Sequence, residues 1–246
     1  MAASKKIVGV VGAGSFGTTV ASLLAHNCRV VMYSRQEQVV ERINVEHEHL
    51  GYSLDPGIRA TRSLEELCAQ AHLIFPIVPS ENFRETCVAM SPHLTPAHIL
   101  IHGTKGLDVA GIRMSELPQV NISRKNVHTM SEVIRQETSV LRVGCLAGPN
   151  LYKEIMARQP AASVIASEYD EVIKTGSEVL ASRYFFVFGS YDLLGAEMAG
   201  ALKNIIALGA GMLAGKGMGK NLEALLITRG LREMIELGKA VGSSSR

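Results

Sequence analysis

The sequence lacks the features that mark nucleic-acid-binding, membrane-spanning or disulfide-stabilised proteins. Its 246 residues carry a net charge of only +2 and no block of lysine and arginine, which argues against a nucleic-acid partner. No uninterrupted apolar run reaches about 18 residues, so no membrane span is predicted. Four scattered cysteines without a C-x-x-C pattern predict reduced, mostly buried thiols, with no disulfide frame and no metal site. Since the segment before the first predicted strand is too short for a signal peptide, we expect a cytoplasmic protein.

A glycine-rich turn near the start of the chain is the clearest motif that the sequence contains. The apolar run 7–11 leads into Gly12-Ala13-Gly14-Ser15-Phe16-Gly17, and a helix-compatible run over 18–25 follows. A G-x-G-x-x-G pattern between a strand and a helix is typical of dinucleotide binding. Its glycines allow, in turn, the tight turn, the approach of backbone to a pyrophosphate and the packing of helix on strand. The alternative is an ordinary glycine-rich turn, but the alternation of strands and helices that follows favours a dinucleotide.

Apolar runs of strand length recur along the chain, with helix-compatible segments between them. After residue 192 the strand patterns stop and two long helical patterns follow, over about 193–214 and 221–241. This order predicts an α/β fold, a Rossmann-like, doubly wound and mainly parallel sheet, followed by an all-helical domain. We place the boundary between residues 1–189 and 190–246. The predicted strands cover residues 7–11, 28–33, 58–61, 72–78, 98–102, 142–147, 161–166 and 184–188, and residues 36–49 form a polar, helix-compatible stretch.

The residue after the second strand bears on the choice of cofactor. An acid there would bind the ribose 2′-hydroxyl of NAD, whereas an arginine accepts the 2′-phosphate of NADP. This chain has Arg35 at that point and no acid before Glu37. Arg35 therefore favours NADP or acceptance of both cofactors, and the alternative is a solvated loop arginine.

Three further strands end in residues that would face the ligand crevice at the carboxyl edge of the sheet. Pro79 and Ser80 follow one strand, and Lys105, between Gly103 and Gly106, follows the next. Lys105 could hold a phosphate or carboxylate, or it is an exposed loop lysine. Pro149 comes after the third strand and suits the first turn of a helix that starts there.

Lys203 is unusual because it lies in the middle of a nearly uncharged helix. Between residues 193 and 215 only Glu197 and Lys203 carry charge. A helix that is apolar all round is expected to be buried on most sides, and burial would lower the pKa of the lysine towards the range useful for proton transfer. The alternative is a lysine whose amine reaches water at the end of an apolar stem.

Together these segments resemble the NAD(P)-dependent glycerol-3-phosphate dehydrogenases, in particular the bacterial type. The segment around Lys203 and the Ile-Thr-Arg-Gly-Leu segment are more specific than the glycine motif, which many Rossmann enzymes share. The matching segments are Val11 to Thr18, Ile77-Val78-Pro79-Ser80, Thr104-Lys105-Gly106-Leu107, Ala147-Gly148-Pro149, Gly200 to Ala207, Gly217 to Asn221 and Leu226 to Leu231.

The resemblance implies reduction of dihydroxyacetone phosphate to sn-glycerol 3-phosphate by a homodimer, with hydride from NAD(P)H, in glycerophospholipid synthesis. It implies that Lys203 is the general acid and that Lys105 contacts both cofactor and substrate. Asn150 replaces a hydroxyl residue usual in the family, and Tyr152 replaces a small one. The implied cofactor positions are Gly12, Gly14, Ser15, Phe16, Gly17, Arg35, Pro79, Lys105 and Tyr152, and the implied substrate positions are Lys105, Gly148, Asn150, Lys203 and Asn204.

The resemblance also leads us to expect a helical domain that is incomplete at its C-terminus. Family members continue into a segment with an aspartate and a Ser-Arg-Asn element that help hold the substrate phosphate and the cofactor, and the chain stops at Arg246. Two alternatives to an active dehydrogenase therefore stay open. One is a nucleotide-binding chain without catalysis, and the other is a related dehydrogenase of another small hydroxy acid or phosphate.

Overall fold

The computed structural model of the protein describes residues 5–109 and 124–243. Its strands are β1 (Ile7–Val11), β2 (Arg29–Tyr33), β3 (Glu48–His49), β4 (Tyr52–Ser53), β5 (Ile58–Thr61), β6 (Leu73–Pro76), β7 (Ile99–His102), β8 (Asp108–Val109), β9 (Val127–His128), β10 (Arg142–Ala147), β11 (Ala161–Ser167) and β12 (Phe185–Ser190). Its α-helices are α1 (Ser15–Ala25), α2 (Glu37–Glu41), α3 (Leu64–Gln70), α4 (Phe83–Met90), α5 (Met130–Glu137), α6 (Tyr152–Met156), α7 (Asp170–Leu180), α8 (Leu193–Gly215) and α9 (Lys220–Ala240).

Eight of the strands form one sheet, in the order β12-β11-β10-β7-β6-β1-β2-β5. Six neighbouring strands of this sheet run parallel to one another, namely β10, β7, β6, β1, β2 and β5. Strand β11 pairs antiparallel with β10 and parallel with β12. The predicted sheet, with its mainly parallel strands, is confirmed. β3 pairs with β4, and β8 with β9, in two small antiparallel ribbons that the sequence analysis did not predict.

The sheet is covered by helices on both faces, which explains its continuous apolar strands. Alternate residues of a strand point to opposite faces, so Val10 joins a cluster with α1 and α7, and Val11 joins one with α3, α4 and α5. Phe75 on β6 and Phe83 on α4 are among the largest fully buried side chains. This sandwich holds the carboxyl ends of β1, β6, β7 and β10 side by side.

Two local predictions are wrong. The helix expected over 36–49 stops at Glu41, continues as a π-helical turn to Glu46 and ends at His47, whose φ of 50° is left-handed. Asn44 in that turn both donates to and accepts from the backbone of Ala60 on β5, which ties the segment to the sheet edge. The helix after β10 begins at Tyr152, three residues beyond Pro149, because the preceding residues form a turn.

The two C-terminal helices are present, but the expectation that α8 is buried on most sides is wrong. Its N-terminal part packs on β10 and β11, and its buried residues are Leu193, Glu197, Met198 and Gly200. Beyond them it packs against α9, and residues such as Ile205 and Leu208 are exposed by 69% and 67%. The rest of α8 therefore projects from the sheet with much of its apolar surface uncovered.

By length and composition α8 could cross a membrane. Only 11% of its most apolar stretch is buried inside the protein. One such helix is weak evidence, and the absence of a membrane span stays a prediction. The boundary expected between residues 189 and 190 also stays a prediction. It falls at the end of β12, two residues before Asp192 caps α8 by accepting a hydrogen bond from the backbone of Gly195.

Candidate active site

The glycine motif forms the turn from β1 into α1, and its three glycines meet different constraints. Gly12 has a φ of 114°, and a Cβ there would overlap the carbonyl oxygen of Ile77. A Cβ at Gly17 would overlap the carbonyl oxygen of Gly12, because the helix packs closely on the turn. At Gly14 a Cβ would meet nothing within 4 Å, so the turn is open on that side.

The open side of Gly14 suits a phosphate group. Gly14 is the N-cap of α1 and makes no side-chain hydrogen bond to the first turn, so no side chain blocks the backbone N–H groups there. The helix is 11 residues long, and its dipole adds a partial positive charge at this end. These features fit the pyrophosphate of a dinucleotide.

A cavity of about 590 Å³ runs from this turn along the carboxyl ends of β1, β2 and β6. Gly12, Gly14, Arg35 and Pro79 of the predicted cofactor residues line it, together with residues of α4 such as Asn82 and Thr86. Ser15, Phe16, Gly17, Lys105 and Tyr152 are not among the residues that line it. Tyr152 is half-buried on α6, a helix that packs against α1.

The end of β2 supplies a cation to this cavity and no carboxylate. Arg35 is exposed and lines the cavity beside Ser34 and Gln36. Glu37, the first acid after the strand, lies 3.3 Å from Arg62. The arrangement leaves Arg35 free to face the ribose end of a bound dinucleotide.

His49 is a cavity residue that sequence reasoning missed. It lies on β3, is buried, and its Nε2 lies 2.8 Å from the carbonyl oxygen of Ala13, to which it donates as an N–H. A polar stretch typical of a surface helix gave no signal of this contact across 36 residues. His49 therefore ties the glycine turn to β3.

Lys105 follows β7 and reaches towards the glycine turn. Its amine lies 4.8 Å from the centre of the Phe16 ring, in the first turn of α1. Thr104 beside it donates to the carbonyl oxygen of Val78 at 2.7 Å, which fixes the loop to the end of β6. Burial and then the positive charge of Lys203 lower the pKa of Lys105 from 10.5 to about 8.

Lys203 and Lys105 lie on different elements that meet here, because a Cβ at Gly200, on the helix of Lys203, would lie 4.0 Å from Cγ of Lys105. Its Nζ donates to the carbonyl oxygen of Gly148 at 2.6 Å, and burial lowers its pKa. Gly148 has a φ of 149°, and a Cβ there would press on Ser163. Asn204, the residue after Lys203, is exposed. The structure thus brings Lys203 to Gly148 and brings Lys105 against the helix of Lys203, while Asn204 is exposed.

Asn150 lies two residues after Gly148, and only one of its two side-chain polar atoms is hydrogen-bonded. Its Oδ1 accepts a hydrogen bond from Ser163 at 2.5 Å, whereas its Nδ2 is buried without a partner among the described residues. A buried amide N–H without an acceptor is costly. It is a donor that a polar group of a ligand would satisfy.

Glu197 is the second residue that sequence reasoning missed in its role. It is buried and accepts hydrogen bonds from His102 on β7 and from Ser131 on α5. Burial alone would raise the pKa of Glu197, but the hydrogen bonds from His102 and Ser131 outweigh burial and hold it below its usual value. The carboxylate is therefore ionised and fully bonded, and it does not pair with either lysine.

The site consists of the cavity beside the glycine turn and of two amines, and Phe16 in that turn contacts the Lys105 amine. An amine with a lowered pKa, close to a second cation, can donate a proton to an oxygen on which negative charge develops. The four cysteines are free and buried, as expected. Among residues 5–109 and 124–243, no group of three metal-ligating side chains occurs.

Comparisons with known proteins agree with this geometry. Residues 7–173 match the family described as NAD-dependent glycerol-3-phosphate dehydrogenase N-terminus, and residues 192–246 match the corresponding C-terminus. A protein of Teredinibacter turnerae named glycerol-3-phosphate dehydrogenase [NAD(P)+] is 36% identical over 242 residues, which are 96% of this chain and 67% of that protein. A protein of Saccharophagus degradans with the same name is 37% identical, over 98% of this chain and 65% of its own length.

A solved structure with a similar fold is also a glycerol-3-phosphate dehydrogenase. The glycerol-3-phosphate dehydrogenase of Coxiella burnetii superposes with a TM-score of 0.83 at 28% identity, over 98% of this chain and 70% of that one. The chain thus spans about two thirds of the length of the curated relatives that it matches. Because both halves of the chain match in order, it belongs to the family of NAD-dependent glycerol-3-phosphate dehydrogenases.

Proposed function

We propose that the protein reduces dihydroxyacetone phosphate to sn-glycerol 3-phosphate with NADH or NADPH, the reaction for which its relatives are named. The observation that carries the proposal is the contact chain from the glycine turn to the lysine pair. Phe16 belongs to the turn that would hold the pyrophosphate, Lys105 lies over its ring, and Lys203 lies close to Lys105. A carbonyl group beside the nicotinamide end of the cavity would therefore meet two amines.

Lys203 is the proposed general acid. When hydride from a bound reduced nicotinamide reaches the carbonyl carbon, negative charge develops on the carbonyl oxygen. The Lys203 ammonium donates a proton to that oxygen, and in the reverse direction the neutral amine removes the proton from the hydroxyl group. The carbonyl of Gly148 orients the amine without neutralising its charge.

Lys105 is proposed to supply positive charge to the same oxygen and to the substrate phosphate. Gly148 and Asn150 complete the substrate side, since the buried Nδ2 of Asn150 is a donor without a partner among the described residues. Gly17 stays a predicted site residue from the glycine motif, and Ser15, Tyr152 and Asn204 stay so on the strength of the family resemblance alone.

Arg35 supports acceptance of NADP as well as NAD. It lines the cavity at the end of β2, where the adenosine ribose of a dinucleotide lies in this architecture. A guanidinium there can bind a 2′-phosphate through two hydrogen bonds. We also propose a cytoplasmic homodimer that supplies glycerophospholipid synthesis. The free buried cysteines suit a reducing compartment, and exposed apolar residues on α8 could serve an interface between subunits.

The test is the oxidation of NADH and NADPH that depends on dihydroxyacetone phosphate, measured for the 246-residue chain and for the protein expressed from the whole gene. Replacement of Lys203 by alanine should lower kcat by about a hundred- to ten-thousandfold, because general acid catalysis is worth that much. Cofactor affinity, measured by NADH fluorescence, should not change. Lys216→Ala, at the exposed end of the same helix, is the control. Turnover by Lys203→Ala at the rate of the control would contradict the role of Lys203, and no turnover by the protein of the whole gene would contradict the function.

A second candidate is a chain that binds the dinucleotide without turnover. The exposure of α8 and α9 favours it, because beyond the sheet the lysine helix is covered only in part, by α9. Cofactor binding by the 246-residue chain without turnover, together with turnover by the protein of the whole gene, would identify this case.

A further inference from the structure

The carboxylate of Glu197 has no part in the chemistry proposed above, yet it is one of the most completely bonded groups in the site. Its side chain is 3% exposed. Oε1 accepts hydrogen bonds from the backbone N–H of Ser131 at 2.8 Å and from Nε2 of His102 at 3.0 Å, and Oε2 accepts one from the hydroxyl of Ser131 at 2.5 Å. A buried charge needs such partners, and here they come from two other elements.

Glu197 and its partner His102 lie on the two elements that carry the amines. His102 is the last residue of β7, and Lys105 follows it in the loop that leaves the strand. Glu197 and Lys203 lie on the same helix, about 9 Å apart along its axis. The carboxylate therefore connects the base of the Lys105 loop to the helix of Lys203.

Ser131 adds a third element to this junction. It lies in the first turn of α5, where a negative charge is favourable because backbone N–H groups point out of the helix. Thr129 and Glu132 form a capping box that satisfies other N–H groups of that turn and leaves the N–H of Ser131 to Glu197. The position of the carboxylate is thus set by a helix end and a strand end together.

The other contacts of α8 with the sheet are apolar. Its small apolar contact cluster contains Leu193 with Cys145 and Ala166, and such contacts between apolar side chains are not directional. In residues 5–109 and 124–243, the side-chain hydrogen bonds from α8 to the sheet and its loops come from Glu197 and Lys203. A rotation of α8 would keep much of the apolar contact but would move the amine of Lys203.

We propose that Glu197 is the positioning residue of this active site, because its hydrogen bonds to His102 and Ser131 fix the distance between the amines of Lys105 and Lys203. The inference rests on the proposed function for its importance, but the geometry that it describes is measurable without turnover. A purely structural role would make Glu197 matter for stability and leave the spacing of the amines unchanged in any variant that folds.

The proximity of the amines has a direct signature. Burial and then the charge of Lys203 lower the pKa of Lys105, whereas Cys145 acts in the opposite direction. Burial raises the pKa of Cys145 well above its usual value, and Glu197 raises it further, so this thiol stays neutral in the range of the experiment. Loss of the Glu197 carboxylate by itself would lower the pKa of a nearby amine, so a rise in the pKa of Lys105 reports separation from Lys203 or entry of water.

The experiment is the pH dependence of acetylation of Lys105 by acetic anhydride, followed by mass spectrometry on the folded 246-residue chain. Only the neutral amine reacts, so the midpoint of the profile gives the pKa of Lys105, about 8 in the unchanged chain. In Glu197→Gln, which keeps the shape and removes the charge, the midpoint should rise by about one pH unit as the amines separate. Glu171→Gln, which removes an exposed carboxylate that pairs with Arg142, is the control and should leave the midpoint unchanged.

In the protein expressed from the whole gene, Glu197→Gln should lower kcat about tenfold or more and leave the KM for the dinucleotide unchanged. If Glu197→Gln does not fold, Ser131→Ala keeps the charge and the His102 contact and removes the hydrogen bond to Oε2, and a smaller rise of the midpoint is expected. A folded Glu197→Gln or Ser131→Ala with the midpoint of the unchanged chain overturns the proposal. Because acetylation needs no turnover, the profile decides the positioning role even if the proposed reaction is wrong.

Discussion

The sheet and the helix pair of this chain are built in opposite ways. Around the sheet, apolar residues from strands and helices fill two clusters, and side chains such as Val10, Ile74 and Phe75 are fully buried. In α8 and α9 the apolar residues are as frequent, but most of them face outwards, and Gly238 is the buried residue of α9. Similar composition therefore gives a packed core in one region and an open apolar surface in the other.

The difference shows where the site gets its rigidity. The glycine turn and the loop of Lys105 leave strands β1 and β7, whose side chains are packed on both faces of the sheet. Lys203 is on a helix that packs on the sheet at its N-terminal part only, and hydrogen bonds hold it there. The cofactor half of the site is preorganised by packing, and the catalytic half by polar contacts.

The largest expected effect compares the two regions directly. Phe75→Ala should lower the free energy of unfolding of the 246-residue chain by about 3–5 kcal/mol, because it leaves a cavity in the sheet core. Leu208→Ala on α8, where the side chain is 67% exposed, should change it by less than about 0.5 kcal/mol. Urea unfolding measures both. An equal loss in the two variants would mean that α8 is covered in solution, by a second copy for example, and would contradict the comparison.

A smaller effect is expected in the glycine turn, where one substitution should change NADH affinity and another should also change stability. Gly14→Ala should keep the stability of the chain but weaken NADH binding by about 2 kcal/mol, or thirtyfold, because the new methyl group enters the space of the pyrophosphate. Gly17→Ala should lower stability as well, since its methyl group would overlap the backbone of Gly12. Fluorescence titration and urea unfolding give the two quantities. Unchanged affinity in Gly14→Ala would mean that the dinucleotide does not lie against this residue.

The smallest expected effect concerns Lys105 and depends on pH. Its pKa of about 8 in the folded protein is below the ordinary value of 10.5, so the charged amine is destabilising below pH 8. As the pH rises from about 8 to 10.5 the unfolded chain holds more protons than the folded one, and this penalty is progressively relieved. Lys105→Met should therefore be more stable by about 1 kcal/mol at pH 7, after loss of the contact with Phe16 is allowed for.

The difference in unfolding free energy between the unchanged chain and Lys105→Met should shrink over the same pH range. Lys216→Met, at an exposed position, is the matched control and should show a difference that does not vary with pH. A constant difference between the unchanged chain and Lys105→Met would show that Lys105 is not desolvated in the folded protein.

The features that could be predicted from the sequence are those that local pattern specifies. The eight strands of the sheet are short apolar runs bounded by turns, and the glycine turn has its motif, so their positions and type were predictable. The lysine of α8 was identifiable because a charge stands out in an apolar helix. The resemblance to the family then gave Lys105, Lys203 and Arg35 as site residues, which stay predictions, and Lys105 lies against the helix that carries Lys203.

What could not be predicted depends on contacts between residues far apart in sequence. Glu197 meets His102 across 95 residues, and neither has a local pattern that indicates the other. The bend that carries His49 to the glycine turn follows from a left-handed residue, His47, within a stretch that has helical composition. The exposure of α8 could not be read from its composition either, because an apolar helix does not state which partner covers it.

The carbonyl of Gly148 has a consequence for how a substrate reaches the site. A carbonyl holds the Lys203 amine without cancelling its charge, and neither lysine forms a salt bridge within residues 5–109 and 124–243. The two amines therefore present positive charge to a doubly charged phosphate ester while it is still in solution. Such a field steers an anion within a Debye length of about 10 Å at 0.1 M salt, so capture of the substrate should slow as ionic strength rises.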